Sequence, residues 1–190
     1  MEPKSIFDHL AAKLGDAVHS FTTDGTKDPY FKVVPEKILD VAKVLRDDPE
    51  LRFDFLHNVT AVDWLKQNRI DVVYHLWSYP KKHGIVMKAE LPRDKPRVPS
   101  VVSIWNAADW NEREQFDLFG VEFTGHPDLR RIMLPDDWPG HPMRKDYKEA
   151  ESYRGMSTTR PNTLELLPMY DKAPEPEKRG PAPSTESSDE

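Results

Sequence analysis

The sequence predicts an α+β domain in which helices pack on a mainly antiparallel sheet, followed by an extended C-terminal arm. Three runs rich in β-branched and aromatic residues follow one another at 52–64, 69–77 and 85–91. The joins between these runs are short enough for antiparallel hairpins. Helical segments precede and follow the three runs, so strands and helices do not alternate as they do in a protein built from βαβ units.

Two helices and two strands are predicted before the first of these runs. Apolar residues recur at helical spacing in 6–14, and a glycine ends this helix. The segments 17–22 and 30–34 have the composition of strands and flank an Asp-Gly turn. Residues 35–45 begin with a proline, which suits the first turn of a helix, and continue with apolar residues at helical spacing.

The central run, 69–77, indicates how the sheet packs. Residues that alternate along one face are apolar, as expected of a strand that faces a core; these are Ile70, Val72, Tyr74 and Leu76. The other face is only partly polar and carries Asp71, Val73, His75 and Trp77. We therefore expect one face of the sheet to form the core. The opposite face is apolar enough that it could be covered as well.

Two helices are predicted after the sheet, a short one at 100–105 and a longer one at 107–119. Asn106 can cap the longer helix by accepting from a free N–H group, and Gly120 can end it in a left-handed conformation. Glu112 falls within the apolar stripe of this helix. A carboxylate that faces a core is costly unless an arginine or backbone N–H groups meet it. The candidate arginines lie downstream, at Arg130, Arg131 and Arg144.

The longer helix carries charges of both signs, and two Gly-His-Pro turns follow it, each leading into a pair of basic residues. Arg113 and Asp117 stand four residues apart, which is the spacing of an ion pair on one helical face. The candidate site, interpreted as a structural signature and partner interface, comprises Glu112, Arg113, Glu114, Asp117, Phe119, Gly120, His126, Pro127, Arg130, Arg131, His141, Arg144 and Asp146.

In these residues the chain resembles the 30 kDa subunit family, which supplies the C subunit of respiratory complex I, the proton-pumping NADH:quinone oxidoreductase. The resemblance is carried by 112–119, 126–133 and 140–147, and a looser likeness covers about residues 30–150. It implies an accessory scaffold of the peripheral arm that holds no redox centre and no catalytic residue. It also implies that the chain packs against the subunits that hold the terminal cluster and the quinone site.

The same resemblance implies a reaction for the whole complex. Electrons pass from NADH through FMN and iron–sulfur clusters, which lie in partner subunits, to quinone, and this transfer is coupled to proton translocation. We expect the chain to act within a hetero-oligomer and to reach the membrane only through the complex. The expected location is the cytoplasmic side of a bacterial inner membrane, as a peripheral protein.

Composition argues against several other classes of protein. The sequence contains no cysteine, so the chain cannot ligate an ordinary iron–sulfur cluster or use a thiol nucleophile. Its net charge of −6 argues against a general nucleic-acid binder. No apolar stretch reaches the ~18 residues that a membrane-spanning helix needs, and the first residues do not have the pattern of a secretory signal.

We predict three segments along the chain. Residues 1–123 form the α+β domain, which ends with the helix at 107–119 and a short apolar stretch. Residues 124–170 form an extended partner-binding arm, because a long proline-bearing stretch without periodicity is hard to keep inside one compact domain. Residues 171–190 are rich in proline, serine and charge, and we expect this acidic tail to be disordered.

Two chemical interpretations compete with a structural role for the site. His126 and His141 could be metal ligands or proton carriers, but no cysteine accompanies them, and the simplest role for each imidazole is to donate to a carboxylate or a carbonyl. Glu112, Glu114 and Asp117 could form an acid–base set, although no nucleophile or oxyanion motif accompanies them. An ion-paired lattice, in which some arginines meet carboxylates of a partner, is the preferred interpretation.

Three functions therefore stand side by side. The first is a scaffold subunit of NADH:quinone oxidoreductase. The second is the equivalent subunit of a related membrane-bound hydrogenase or of another donor:quinone dehydrogenase, since the signature reports the neighbouring subunits rather than the electron donor. The third is a free-standing soluble hydrolase that uses the carboxylates of Glu112, Glu114 and Asp117.

Overall fold

The computed structural model describes residues 1–23, 25 and 28–158 of the 190-residue chain. The chain divides into two compact units, Met1–Lys148 and Glu149–Glu190. The part of the predicted arm beyond residue 158, and the whole predicted tail at 171–190, lie outside the described residues. Within the described ranges, no helix has the length and apolar character needed to cross a membrane.

Up to residue 92, the described part of the first unit contains helices and strands in the predicted order, with short 3₁₀ turns between some of them. In chain order the elements are α1 (Pro3–Leu14), β1 (Val18–Thr22), β2 (Tyr30–Val33), α2 (Ile38–Asp47), β3 (Phe55–Trp64), β4 (Arg69–Ser78), β5 (His83–Pro92), β6 (Arg97–Pro99), α3 (Ala108–Phe119) and β7 (Glu122–Thr124).

Five of these strands form one mixed sheet in the order β1-β2-β5-β4-β3. Strands β3, β4 and β5 pair antiparallel through short joins, and β1 pairs antiparallel with β2. Strands β2 and β5 run parallel, because the chain crosses over through α2 and the β3-β4 hairpin before β5 returns beside β2. The prediction of an α+β domain with a mainly antiparallel sheet is confirmed, with one parallel pair inside it.

The core lies on the face of the sheet that carries the apolar residues of β4. Tyr74, Ile70 and Val72 are completely buried there. Helices α1 and α2 cover this core with fully buried side chains, namely Ile6, Leu10, Ile38, Val41, Ala42 and Leu45. Burial of each large apolar side chain contributes about 1.5–3 kcal/mol to folding, so these helices are held chiefly by packing.

The predicted helix at 100–105 is wrong, because this segment forms turns. Val101 O accepts the N–H groups of Ile104 and Trp105, at 2.9 and 3.0 Å, but the bonding pattern of a helix does not continue. The predicted cap at Asn106 is also wrong. Helix α3 begins at Ala108 after Ala107, whose backbone is already helical, and the N–H groups of residues 108 and 109 bond to backbone carbonyls instead of to a side chain.

A small second sheet, not predicted from the sequence, joins the two ends of the segment that contains α3. Strand β6 pairs parallel with β7, from Arg97 opposite Glu122 to Pro99 opposite Thr124. Proline fits here because β6 is a short edge strand in which a missing N–H costs little. The pairing fixes where α3 begins and ends relative to the main sheet.

The described residues of the second unit form a short hairpin. Its strands are β8 (Ser152–Tyr153) and β9 (Met156–Ser157), which pair antiparallel. The two residues between them, Arg154 and Gly155, both have positive φ, at 49° and 78°. Such a pair matches the twist of a two-residue hairpin turn.

Candidate partner-binding site

Helix α3, which carries most of the predicted site, is fixed to an end strand of the sheet. Gln115 Oε1 accepts the N–H of Ala61 on β3 at 2.9 Å, and both groups are buried. An unpaired N–H on an end strand would otherwise be a costly buried donor or a template for another strand. Trp105 Nε1–H donates to Phe53 O at 2.8 Å and anchors the turn before the helix.

Glu112 is completely buried and accepts two hydrogen bonds from the turn that precedes α3. Ser100 Oγ–H donates at 2.6 Å and the N–H of Val101 donates at 2.8 Å. Burial raises the pKa of Glu112 to about 7, although both hydrogen bonds act to lower it, and the charge of Asp109 adds to the increase. The two hydrogen bonds of Glu112 therefore connect the turn before α3, at residues 100 and 101, to the middle of the helix.

Of the two kinds of partner expected for Glu112, an arginine or backbone N–H groups, the described residues supply a backbone N–H and no arginine. In the described part of the chain its partners are Ser100 and Val101, whereas the three candidate arginines all lie in the segment after the helix. The side chain at 112 faces the preceding turn, so the following segment meets a different face of α3.

The hydroxyl of Tyr74, which is also completely buried, has no hydrogen-bond partner among the described residues. Burial, with a further contribution from Glu112, raises the Tyr74 pKa well above its ordinary value.

Asp117 holds the chain that follows α3 through a set of backbone bonds. Its Oδ2 accepts the N–H groups of Ile132, Met133 and Leu134 at 3.1, 2.8 and 2.9 Å. The carboxylate is completely buried, and Arg131 Nη1 lies 3.6 Å from Oδ1. Three converging N–H groups and an arginine stabilise a buried negative charge.

Arg113 does not pair with Asp117, despite the helical spacing. Its Nε–H donates to the carbonyl of Arg130 at 3.4 Å, and its guanidinium carbon lies 4.9 Å from the ring centre of Trp110. Asp128 is its nearest acid, at 3.9 Å. The three backbone N–H groups already surround Asp117, so Arg113 contacts the opposite end of the same loop.

The two histidines of the Gly-His-Pro turns both donate to carbonyl groups of α3. His126 Nε2–H donates to Asp109 O at 3.2 Å, while its Nδ1 accepts the N–H of Asp128 at 3.0 Å, an arrangement that needs the neutral ring. His141 Nδ1–H donates to Asp117 O at 2.9 Å, and burial lowers its pKa. The described residues contain no group of three or more His, Cys, Asp or Glu side chains placed to hold a metal ion.

Gly120 ends α3 in the left-handed conformation, with φ at 72°. A Cβ at this position would lie 2.5 Å from His141 Nε2 and 3.0 Å from Arg144 Nη2. Glycine is therefore needed both for the backbone turn and for the approach of the second Gly-His-Pro turn. Phe119, which is buried, uses its carbonyl to accept from Arg144 Nε at 2.7 Å.

Arg93 fixes the end of the first unit to the sheet, a role that sequence reasoning missed. Its Nε and Nη2 donate to the two oxygens of buried Asp63 at 2.7 and 3.0 Å, and it also binds Asp146. Asp63 Oδ2 additionally accepts the N–H of Lys145 at 2.8 Å, and the bonds from Arg93 lower the Asp63 pKa. A signal was present, because Asp63 continues the core-facing alternation of Val59 and Ala61.

Residues 124–148 thus belong to the first compact unit, which continues past Phe123, where the sequence was predicted to leave the domain. The reason is the set of hydrogen bonds made by Asp117, His141 and Arg93, whose partners lie far apart in sequence.

The remaining predicted site residues lie at the surface or near it: Arg130 pairs with exposed Asp128 at 2.9 Å, Pro127 is exposed, and Glu114 is half-buried on α3.

The carboxylates proposed as an acid–base set are poorly placed for hydrolysis. Glu112 and Asp117 are both completely buried, and the protein's own N–H and O–H groups donate to them. A general acid or base must come within hydrogen-bond reach of a bound substrate. These geometries therefore favour a structural role for both residues.

Large apolar side chains next to these buried bonds are open to solvent. Trp110 on α3 is 65% exposed, and Met133 and Met143 in the following segment are 63% and 53% exposed. We call the exposed side chains of α3 and of residues 124–148 the α3–arm surface. Exposed large apolar residues beside a rigid polar framework are typical of a surface that binds another protein.

A second exposed apolar region lies on the sheet face opposite the core. Phe55, Trp77 and Tyr79 border a cavity of about 510 Å³ there. Gly84 lies beneath Trp77, because a Cβ at Gly84 would be 2.8 Å from the indole ring. The sequence predicted that this face is only partly polar, and its exposed aromatic side chains agree with that description.

The fold and the site together are typical of a protein-binding subunit, since buried polar groups fix a framework that leaves several large apolar side chains exposed. The sequence model of the family described as the respiratory-chain NADH dehydrogenase 30 kDa subunit matches residues 31–153. The chain belongs to this family. The match covers the main sheet from β2 onward, α3 and the segment that Asp117 holds, as the resemblance over residues 30–150 predicted.

Curated relatives and solved structures agree with this assignment. The chain is 46% identical over 147 residues to the NADH-quinone oxidoreductase C subunit of Roseiflexus sp. strain RS-1, covering 77% of this chain and 84% of that protein. It is 40% identical over 152 residues to the protein of the same name from Chlorobium phaeobacteroides, covering 79% and 91%.

Two solved structures share the fold. One is the trypsin-resistant fragment of Nqo5, with a TM-score of 0.58 and 27% identity over 68% of this chain and all of that one. The other is a chain of the membrane-bound sulfane sulfur reductase, an archaeal respiratory membrane complex, with a TM-score of 0.65 and 29% identity over 78% and 86%.

Proposed function

We propose that this chain is the 30 kDa-family scaffold of a proton-pumping NADH:quinone oxidoreductase and takes no direct part in electron transfer. One observation carries the proposal: the residues by which the chain resembles its family hold α3 and residues 124–148 together, and leave apolar side chains exposed. A framework of this kind supplies shape and binding surface. FMN and the iron–sulfur clusters are then held by partner subunits.

The partners that we propose are the subunit with the terminal iron–sulfur cluster and the subunit with the quinone site. The α3–arm surface is the proposed contact, because it combines exposed Trp110, Met133 and Met143 with arginines suited to interfaces. Attachment through these partners makes the chain a peripheral component of the membrane complex. We propose that it lies on the cytoplasmic side of the inner membrane.

An equivalent role in a different membrane-bound respiratory complex is the second candidate. The likeness to a chain of the sulfane sulfur reductase supports it, since the same fold serves a complex whose name gives another substrate. The identity to the NADH-quinone oxidoreductase proteins of Roseiflexus and Chlorobium is higher, at 46% and 40%, and favours NADH as the donor.

The test is to purify the tagged full-length chain from gently solubilised membranes and to identify what accompanies it. The first proposal predicts NADH-binding, cluster-bearing and quinone-site subunits in fixed ratio, together with NADH:quinone activity. Partners of a hydrogenase or sulfur reductase, with no NADH activity, would favour the second candidate. A chain that purifies alone from membranes with abundant complex would contradict both.

A further inference from the structure

The arginines of the candidate site differ in the partners that they have within the described residues. Arg130 pairs with Asp128 at 2.9 Å, and Arg131 approaches Asp117 at 3.6 Å and donates to Gly140 O at 3.2 Å. Arg113 lies 3.9 Å from Asp128 and stacks on Trp110. Arg144 differs from these three, because no described carboxylate oxygen lies within the 4.0 Å that defines an ion pair with it.

Two of the three acids whose charges act on Arg144 are already bound by another arginine. Asp63 and Asp146 both influence the Arg144 guanidinium, whose pKa is lowered chiefly by burial and then by the charge of Arg93. Arg93 binds both of these carboxylates directly, and the N–H of Lys145 takes a further position on Asp63. The Nη groups of Arg144 are thus left for an acceptor outside the described chain.

The guanidinium of Arg144 is held in a fixed position at the edge of a cleft of about 410 Å³. Its Nε–H is bonded to Phe119 O at 2.7 Å, and its backbone N–H donates to His141 O at 3.2 Å. Tyr147, which also lines the cleft, donates its N–H to Arg144 O at 3.1 Å, and its hydroxyl accepts from Trp138 Nε1 at 3.1 Å. A guanidinium fixed through Nε presents its other N–H groups in a planar fork, which matches a carboxylate in two-point geometry.

The charge around the cleft also favours a single negative charge in the ligand. The residues that line the cleft include two basic groups, Arg144 and Lys148, against one acid, Asp146, which leaves one positive charge. One carboxylate neutralises this excess. A dianionic phosphate would exceed it and would face Asp146, which lines the same cleft.

We propose that the cleft beside Arg144 receives the carboxylate of an Asp or Glu from a neighbouring subunit, which the Arg144 guanidinium binds through two N–H groups. This inference rests on the proposed function and adds the chemistry of the contact. Arg93 binds Asp63 and Asp146, and no described carboxylate oxygen lies within 4.0 Å of Arg144, so the site is open to a partner. Met143, which is exposed and precedes Arg144 in the chain, is available for apolar contact with the partner.

The experiment uses the tagged full-length chain, produced in cells that lack their own copy, and measures the partner subunits that co-purify. Arg144→Gln removes the charge, and Arg144→Lys keeps the charge and a donor for Phe119 O but loses the fork. We expect each to reduce co-purified partner by about tenfold or more, as for other interface charge pairs. Arg52→Gln, at an exposed arginine in the turn after α2, is the matched control and should bind like the wild type.

Melting temperatures of the purified chains separate lost binding from lost folding. If Arg144→Gln melts much earlier than the wild type, Arg144→Lys decides the question. Normal co-purification of folded Arg144→Gln or Arg144→Lys would overturn the carboxylate site while leaving the scaffold proposal intact. A wild-type chain that brings down no partner would instead count against the scaffold proposal.

A photo-reactive residue at exposed Lys148, in the same cleft, then identifies what occupies it. We expect a cross-link to a partner peptide that contains Asp or Glu, and recovery of assembly when Arg144→Glu is combined with a change of that acid to Arg. Cross-links to lipid, or to a partner peptide without an acid, would overturn the proposal. So would a charge exchange that restores nothing.

Discussion

At the scale of single residues, the carboxylates of α3 have separate tasks. Glu112 binds the turn before the helix and Asp117 binds the loop after it, so the two acids join three segments of chain. Their environments differ, because Glu112 has two donors and no charged partner, whereas Asp117 has three backbone donors and Arg131 nearby. Burial accordingly raises the pKa of Glu112 to about 7.

This raised pKa predicts how stability depends on pH. Between the ordinary value of 4.5 and about 7, the folded chain holds a proton on Glu112 that the unfolded chain has lost. The contribution is therefore fully present below pH 4.5 and is lost as the pH rises towards 7. It amounts to about 3 kcal/mol at ~1.4 kcal/mol per pH unit.

Glu112→Gln removes this proton while keeping an acceptor for Val101. We expect the difference in unfolding free energy between wild type and Glu112→Gln, measured by urea titration, to shift by about 3 kcal/mol against the wild type from pH 4.5 to pH 7. Taking the difference cancels the histidines, which titrate in the same range. Glu36→Gln, at an exposed glutamate, is the matched control for the substitution itself. A flat difference for Glu112→Gln would contradict the assigned burial effect.

Gly120 predicts a second measurable effect. Gly120→Ala must place a Cβ in a left-handed conformation and 2.5 Å from His141 Nε2, so two costs add. Gly125→Ala isolates the first cost, because φ is 83° there and nothing lies within 4 Å. We expect a loss of about 1 kcal/mol in Gly125→Ala and roughly 3 kcal/mol or more in Gly120→Ala. Equal losses in chemical unfolding would mean that the second Gly-His-Pro turn does not pack on the helix end.

At the scale of elements, α3 anchors the segments on either side of it through hydrogen bonds. Among these bonds, the three from backbone N–H groups to Asp117 hold residues 132–134, which lie outside any helix or strand. The stability of this loop therefore depends on one side chain. Segments held by few bonds open separately from the core.

Asp117→Ala should release the loop and leave most of the sheet unchanged. The expected result is a loss of hydrogen-exchange protection at residues 132–134, with β4 and β5 amides keeping their protection. Asp128→Ala, at an exposed acid in the same segment, should leave residues 132–134 protected. Protection retained in Asp117→Ala would refute the assigned role.

The helices and strands also show which features of the fold local sequence patterns predict and which they do not. The three successive strands and the bounds of α3 follow from alternation, helical spacing and Gly120. The parallel pairing of β2 with β5 and of β6 with β7 does not, because it joins residues far apart in sequence. For the same reason Asp117 was identified as a site residue while its three N–H partners were not. Ser100 was not identified as a partner of Glu112 because a buried hydroxyl carries no charge signal.

At the scale of the whole molecule, the first compact unit, Met1–Lys148, carries two exposed apolar regions. The α3–arm surface is the proposed contact with the cluster-bearing and quinone-site subunits, and the aromatic face around Trp77 is a separate exposed region. The central claim is that the signature residues serve assembly. A substitution at the centre of this signature should then lower the amount of assembled complex and leave the turnover of each assembled complex unchanged.

Glu112→Ala tests this claim most directly, through the amount of assembled complex on native gels and the NADH:quinone turnover per assembled complex in the same membranes. The substitution leaves Ser100 and Val101 without their buried acceptor, at a cost on the order of 1–3 kcal/mol or more. We predict that assembled complex falls by about tenfold or more while turnover per complex stays unchanged. Glu36→Ala, the exposed control, should leave both unchanged. Normal abundance with turnover reduced about a hundredfold would contradict the account and would give Glu112 a part in proton transfer or catalysis.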